Sequence, residues 1–196
     1  LQAIQSVIDL FEGQHLNNSD FEFSFTDSNS GSLIFTESGV GNNLTLTEEE
    51  ITVNLIKVQE NNSLKNGDAS TQLEKLRYND DTDTKGVVEG KTIVAPYPNF
   101  SVEMETGTGK TYVYLRSIYE LNKVYGFKKF VIVVPSVAIR EGVLKSLQIT
   151  FEHFQEIYEN QPAEFKVYDS GRITDLGNFA KSNAIQILVI NIDSFT

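Results

Sequence analysis

At 196 residues, with 40% hydrophobic and 22% charged residues, the chain is long enough to bury a core and has the composition of a globular protein. The absence of cysteine excludes disulfides and thiolate metal sites and fits a reducing cytoplasm, and the longest apolar runs are strand-sized, too short to span a bilayer. A net charge of −11 argues against a nucleic-acid partner, but residues 1–50 carry nine acids and no Lys or Arg, whereas residues 101–150 carry seven basic residues against four acids.

The opening stretch LQAIQSVIDLFEG places Leu1, Ile4, Ile8 and Phe11 on one helical face. Phe21–Thr26, FEFSFT, alternates apolar and polar as a half-exposed strand does; DSNSGS reads as a turn and LIFTE as a return strand, so a hairpin is expected. Thr47 followed by Glu50 forms a capping box, and Ile51, Leu55 and Val58 make one stripe on a helix over 47–60. NNSLKNGDAST and RYNDDTDTKG read as polar loops. From residue 91 the pattern changes. KTIVA and FSVEME read as strands, and Gly109 to Tyr125 as a helix. KFVIVVP reads as a buried parallel strand, and Val137 to Tyr158 as a helix with a break near Thr150. FKVYD, ITDLGNFAKS and IQILVINI follow as strand, helix and buried strand. This alternation predicts an α/β fold built on a parallel sheet flanked by helices. His15 and His153 belong to no ligand-spaced cluster and read as ordinary histidines.

The stretch METGTGKT, Met104–Thr111, carries the chemistry. A phosphate loop needs consecutive backbone N–H groups curled round an anion at a helix N-terminus. Gly107 and Gly109 can supply the curl, although Met104 stands where the general pattern has its first glycine. In that reading Glu105, Thr106, Gly107, Thr108, Gly109, Lys110 and Thr111 surround ATP. Lys110 pairs with the β- and γ-phosphates, and the Thr111 hydroxyl ligates Mg²⁺.

With Met104 first and Gly107 before Gly109, the loop resembles the superfamily 2 helicase form of the motif. Its flanks, with PSVAIREG at 135–142, VYDSGRITDLGNFAKS at 167–182 and ILVINIDSFT at 187–196, resemble the Res subunit of type III restriction–modification enzymes. The resemblance is densest over 102–196 and looser towards the start. It implies a RecA-like ATP-binding domain within a two-domain, ATP-driven motor that carries a C-terminal nuclease. Such a motor works on double-stranded DNA with a methylating Mod partner in the cytoplasm, away from membranes. The segment Pro135–Gly142 matches the family's motif Ia, which implies DNA-backbone contacts from Ser136 and Arg140. Read from the residues alone, Ser136 caps a helix and Arg140 is a solvated cation. Gln2 and Gln5 lie near where such motors recognise adenine, with Gln2 the candidate. Asp193 ends an apolar strand but is followed by Ser194, so the resemblance puts the acid pair for Mg²⁺ and water downstream of Thr196.

The expected organisation is therefore an N-terminal helix at 1–18, a hairpin–helix–loop insertion of mixed α/β character at 19–90, and a RecA-like domain over 91–196. The chain begins inside a helical pattern and stops just after a strand, as a piece of a larger protein would. Alone, it is expected to bind ATP weakly and turn over little, since an arginine finger from a second domain contributes roughly 10³–10⁵ in rate in related systems. Two other readings stay open: another superfamily 2 motor (a type I restriction subunit or repair helicase), or a nucleotide-dependent binding module without turnover.

Overall fold

The protein is described from a computed structural model, covering residues 1–16, 19–26, 33–64, 69–80, 91–169 and 173–192. Its centre is a three-stranded parallel sheet in the order β5 (Lys129–Val134), β7 (Ile185–Asn191), β6 (Ala163–Val167). The middle strand has a neighbour on each edge and helices over its faces, and all seven of its residues are buried. Branched side chains suit that position because they fit a pleat packed on both sides. The crossovers are α4 (Val137–Ile157) between β5 and β6, and α5 (Ile173–Lys181) between β6 and β7. The α/β reading with a parallel sheet stands.

Ahead of the sheet, α3 (Lys110–Tyr125) starts at Gly109 and ends at Gly126, both left-handed, with φ of +84° and +74°. At the C-terminal end this conformation lets the Gly126 N–H return to the Asn122 carbonyl at 2.8 Å. Leu115, Ile118 and Tyr119 of α3 meet Val143, Leu147 and Phe154 of α4, and with Ile185, Ile187 and Val189 of β7 they form the main core. A second, smaller cluster joins α1 (Gln2–Asp9) to the end of α3: Ile8 packs with Leu121, Tyr125 and Phe127, and the Tyr125 hydroxyl donates to the Ile8 carbonyl at 2.9 Å. Ile4, Ile8 and Phe11 thus use the expected face, whereas Leu1 is exposed.

Between α1 and α3 lie two antiparallel hairpins and a helix. β1 (Ser19–Thr26) pairs with β2 (Leu33–Gly41), as expected, although the connecting turn lies outside the described residues. In α2 (Glu48–Asn61) the capping box is formed: the Glu50 N–H donates to Thr47 Oγ1 at 3.2 Å, and the Thr47 N–H to the Glu50 carboxylate at 2.8 Å. That bonding holds the Glu50 carboxyl below its ordinary range.

Five local expectations are corrected. RYND, read as loop, falls in β3 (Glu74–Asp80), because antiparallel pairing with β4 (Lys91–Asn99) supplies the backbone bonds that its Asn and Asp do not favour on their own. KTIVA is a strand, but in this separate two-stranded sheet rather than the parallel one. FSVEME contributes no strand past Asn99: residues 100–105 pair with no described neighbour, and Val102 is exposed. KFVIVVP is an edge strand, since among the described residues only β7 pairs with it, and Val131 and Val133, which share one face of the strand, are each 52% exposed. Finally, α4 is unbroken at Thr150, whose hydroxyl donates to the Ser146 carbonyl at 2.8 Å inside the helix.

Candidate nucleotide-binding site

The loop before α3 is shaped by its two glycines. Gly107 and Gly109 have φ of +82° and +84°, a region that costs other L-residues roughly 1 kcal/mol or more. A Cβ at either would meet open space, so the need for glycine here is conformational, not steric. The curl brings the Glu105 carbonyl to its centre. It accepts from the Thr108 hydroxyl at 2.6 Å, the Thr108 N–H at 3.5 Å and the Lys110 ammonium at 2.9 Å. Lys110 is thereby folded back over the loop, its charge at the mouth of the curl. Glu105 through Lys110 are exposed, and Met104 and Thr111 half-buried.

The helix start adds donors. The first α-helical bond of α3 runs from the Val113 N–H to the Gly109 carbonyl at 3.0 Å. The N–H groups of Lys110, Thr111 and Tyr112 therefore have no acceptor within the helix. Three amides, a lysine and the positive end of the helix dipole meet at one exposed place, which is the donor set an anionic oligophosphate needs. Thr111 offers one hydroxyl oxygen. Among the described residues no group of three or more His, Cys, Asp and Glu could hold a metal. Asp193 lies outside the described residues.

On the β5 side of the loop, Thr111 and Tyr114 open onto an apolar groove of about 730 Å³. It follows β5 as far as Pro135 and reaches Ile139, Gly142 and Val143 in α4. Burial holds the Tyr114 phenol above its ordinary range, and a hydrogen bond with Thr111 opposes that shift.

At the far end of this groove α4 begins. Ser136 Oγ accepts from the Ile139 N–H at 3.3 Å, an N-cap bond, so the capping role read from the residues is filled. The Arg140 guanidinium is held by the neighbouring Glu141 carboxylate at 2.9 Å. Gln2 is elsewhere engaged, its amide donating to Asn62 at the C-terminus of α2 at 2.8 Å.

Sequence reading missed one feature beside the loop. Tyr112, the residue after Thr111, bonds through its hydroxyl to His153 Nε2 at 3.0 Å and packs on Phe154 with ring centres 5.4 Å apart. Next to it, Arg116 lies 3.6 Å from Glu120, and the Tyr158 hydroxyl donates to Glu120 at 2.7 Å. Burial, with Glu120 as acceptor, holds the Tyr158 phenol far above its ordinary range; the Tyr158 hydroxyl in turn holds Arg116 up. Contacts of this kind between α3 and α4 leave no periodic mark in the sequence.

Comparison with known proteins gives a consistent result. Residues 91–196, more than half of the chain, match the family model described as "Type III restriction enzyme, res subunit". Over 112 residues the chain is 44% identical to the Type III restriction-modification enzyme StyLTI Res subunit of Salmonella typhimurium, covering 47% of this chain and 11% of that protein. Over 141 residues it is 34% identical to the EcoPI Res subunit of Escherichia phage P1, covering 71% of this chain and 12% of that one. The EcoP15I Res subunit of Escherichia coli is 45% identical over 62 residues, 31% of this chain and 6% of that protein. The chain thus spans about a tenth of the length of the first two relatives. A family match over more than half its length shows that the chain belongs to the type III restriction enzyme Res subunit family, with a RecA-like α/β fold.

Proposed function

We infer that residues 105–111 hold ATP with Mg²⁺, and that the chain is the ATP-binding part of a Res-subunit motor. In the whole enzyme that motor couples ATP hydrolysis to movement along double-stranded DNA and to endonucleolytic cleavage, in company with a methylating Mod subunit. The observation that carries this reading is the glycine-curled loop, which sets the Lys110 ammonium and three unpaired amides at one helix start. Lys110 exchanges its bond to the Glu105 carbonyl for a charge-assisted one to the outer phosphates, a stronger bond because both partners are ionised. Amides and ammonium then neutralise charge that builds on those phosphates during transfer. The Thr111 hydroxyl would be the residue to hold Mg²⁺, and the metal would supply positive charge to offset that of the phosphates.

The RecA-like domain is taken as 91–196, with 1–18 as its leading helix and 19–90 as an insertion. Ser136 and Arg140 are assigned to the DNA backbone. Each directly follows a residue that lines the groove with Thr111, Pro135 before Ser136 and Ile139 before Arg140, which supports a shared path between nucleotide and DNA. In this assignment Arg140 trades Glu141 for phosphate, while Ser136 keeps its cap bond.

Calorimetry on the intact subunit tests the reading. Lys110→Ala abolishes measurable ATP binding; equal affinity in variant and parent overturns the assignment. Arg140→Ala lowers DNA affinity and shortens the slope of log affinity against log salt by about one. An unchanged slope removes Arg140 from the DNA contact.

A further inference from the structure

We propose that Tyr112 and His153 form the aromatic surface on which the nucleoside half of the bound nucleotide lies, an inference that rests on the ATP reading of the loop. The Tyr112 N–H is the last of the unpaired amides of α3, since Val113 already bonds back to Gly109. A phosphate taken by that amide sits at the root of the Tyr112 side chain. Successive helical residues turn by about 100°, so Tyr112 and Thr111 leave the helix in different directions. The Thr111 hydroxyl goes with Tyr114 towards the groove along β5. Tyr112 goes towards α4, where it meets His153 and Phe154. The metal-binding oxygen and the aromatic ring thus diverge from one phosphate position. The nucleoside, joined to the phosphate farthest from the metal-bridged end, has the Tyr112 side open to it.

The pair is suited to a planar base. Tyr112 and His153 have ring centres 5.8 Å apart, inclined at 42°, and the hydrogen bond between them fixes both rotamers. Phe154 backs both rings, at 5.4 Å and 5.5 Å, and is itself 1% exposed. Tyr112 is only half-buried and His153 is exposed, so the rings keep open surface. A ring already held in place loses little freedom when a base stacks on it.

The test uses the intact subunit, with ATP and inorganic tripolyphosphate titrated separately by calorimetry. Tyr112→Leu weakens ATP roughly tenfold, the scale of one base–aromatic stack, and leaves tripolyphosphate unchanged. Tyr112→Phe keeps the ring and holds ATP within a few-fold of the parent. His153→Ala, at an exposed position, also weakens ATP and spares tripolyphosphate. The proposal is overturned if both ligands fall together in Tyr112→Leu, or if ATP affinity is unchanged in His153→Ala and Tyr112→Leu. Should Tyr112→Leu not fold, His153→Ala decides alone by the same criterion. Failure of the underlying phosphate-loop reading looks different: the parent then binds neither ligand, or Lys110→Ala keeps both.

Discussion

The two halves of the molecule are held together by different chemistry. From α3 onward the core is apolar: Leu115, Phe154, Ile185, Ile187 and Val189 are at most 2% exposed, and they join two helices to the sheet. Before α3 much of the stitching is done by carboxamides. Gln14 donates to the Asn43 carbonyl and accepts from the Thr45 N–H, both at 2.8 Å. Asn54 reaches the Leu10 and Glu12 carbonyls, while Gln59 bridges both backbone groups of Ser70. Gln14, Asn54 and Gln59 are buried. Apolar contact is strong and tolerant of direction. A side-chain amide adds only about 1 kcal/mol net, but it fixes where a backbone passes. The first half is therefore placed more by direction than by bulk, and the glycine-curled loop before α3 stands where the two regimes meet.

Truncating the centre of the apolar half is the strongest way to break this contrast. Phe154 touches Tyr112, Tyr119, His153 and Tyr158 at 1% exposure, so Phe154→Ala removes the partner of four rings. Urea unfolding should show a loss of about 3–5 kcal/mol. A loss below about 1 kcal/mol would mean that the α3–α4 contact is not where this half stores its stability. Because the same ring backs Tyr112, its removal should also loosen the surface assigned to the nucleoside.

This division also explains what could be read from the sequence. The elements of the apolar half announce themselves in the sequence: KFVIVVP and IQILVINI were legible as continuous apolar runs, and α3 and α4 as helices alternating with them. Gly107 and Gly109 were legible because positive φ leaves few other choices. Phe100–Glu105 misled because apolar–polar alternation marks a strand only where a neighbour takes its backbone bonds, and no described residue does. Val131 and Val133 misled in the same way: an apolar run says what a strand could pack against, not whether it stands at an edge. The Tyr112–His153 contact joins positions 41 apart and sits in no repeat. Gln14, Asn54 and Gln59 look in sequence like solvated residues, since their role appears only once the chain has brought a foreign backbone beside them.

The junction between the halves offers the finer test. Asn42, just after β2, receives the N–H groups of Lys128 and Lys129 on its Oδ1 at 2.7 and 3.0 Å, and its amide donates to the Lys129 carbonyl at 2.7 Å. One side chain thus does for the first residue of β5 what a neighbouring strand would do. Beside it, burial and then the Lys128 charge lower the Lys129 amine to about 8. Asn42→Ala removes three bonds at an exposed position, where water replaces part of what is lost, so the expected cost is about 1–2 kcal/mol. The change should be local. Amide exchange at Lys128 and Lys129 speeds up, while Val189, at the sheet centre, stays protected. Asn42→Asp separates direction from bulk: it keeps the acceptor for both N–H groups but sets a carboxylate oxygen against the Lys129 carbonyl. If carboxamide geometry places this half, the Asp variant protects the two amides better than Ala yet stays below the parent. Equal exchange in all three proteins would mean that Asn42 merely accompanies a junction held by other contacts.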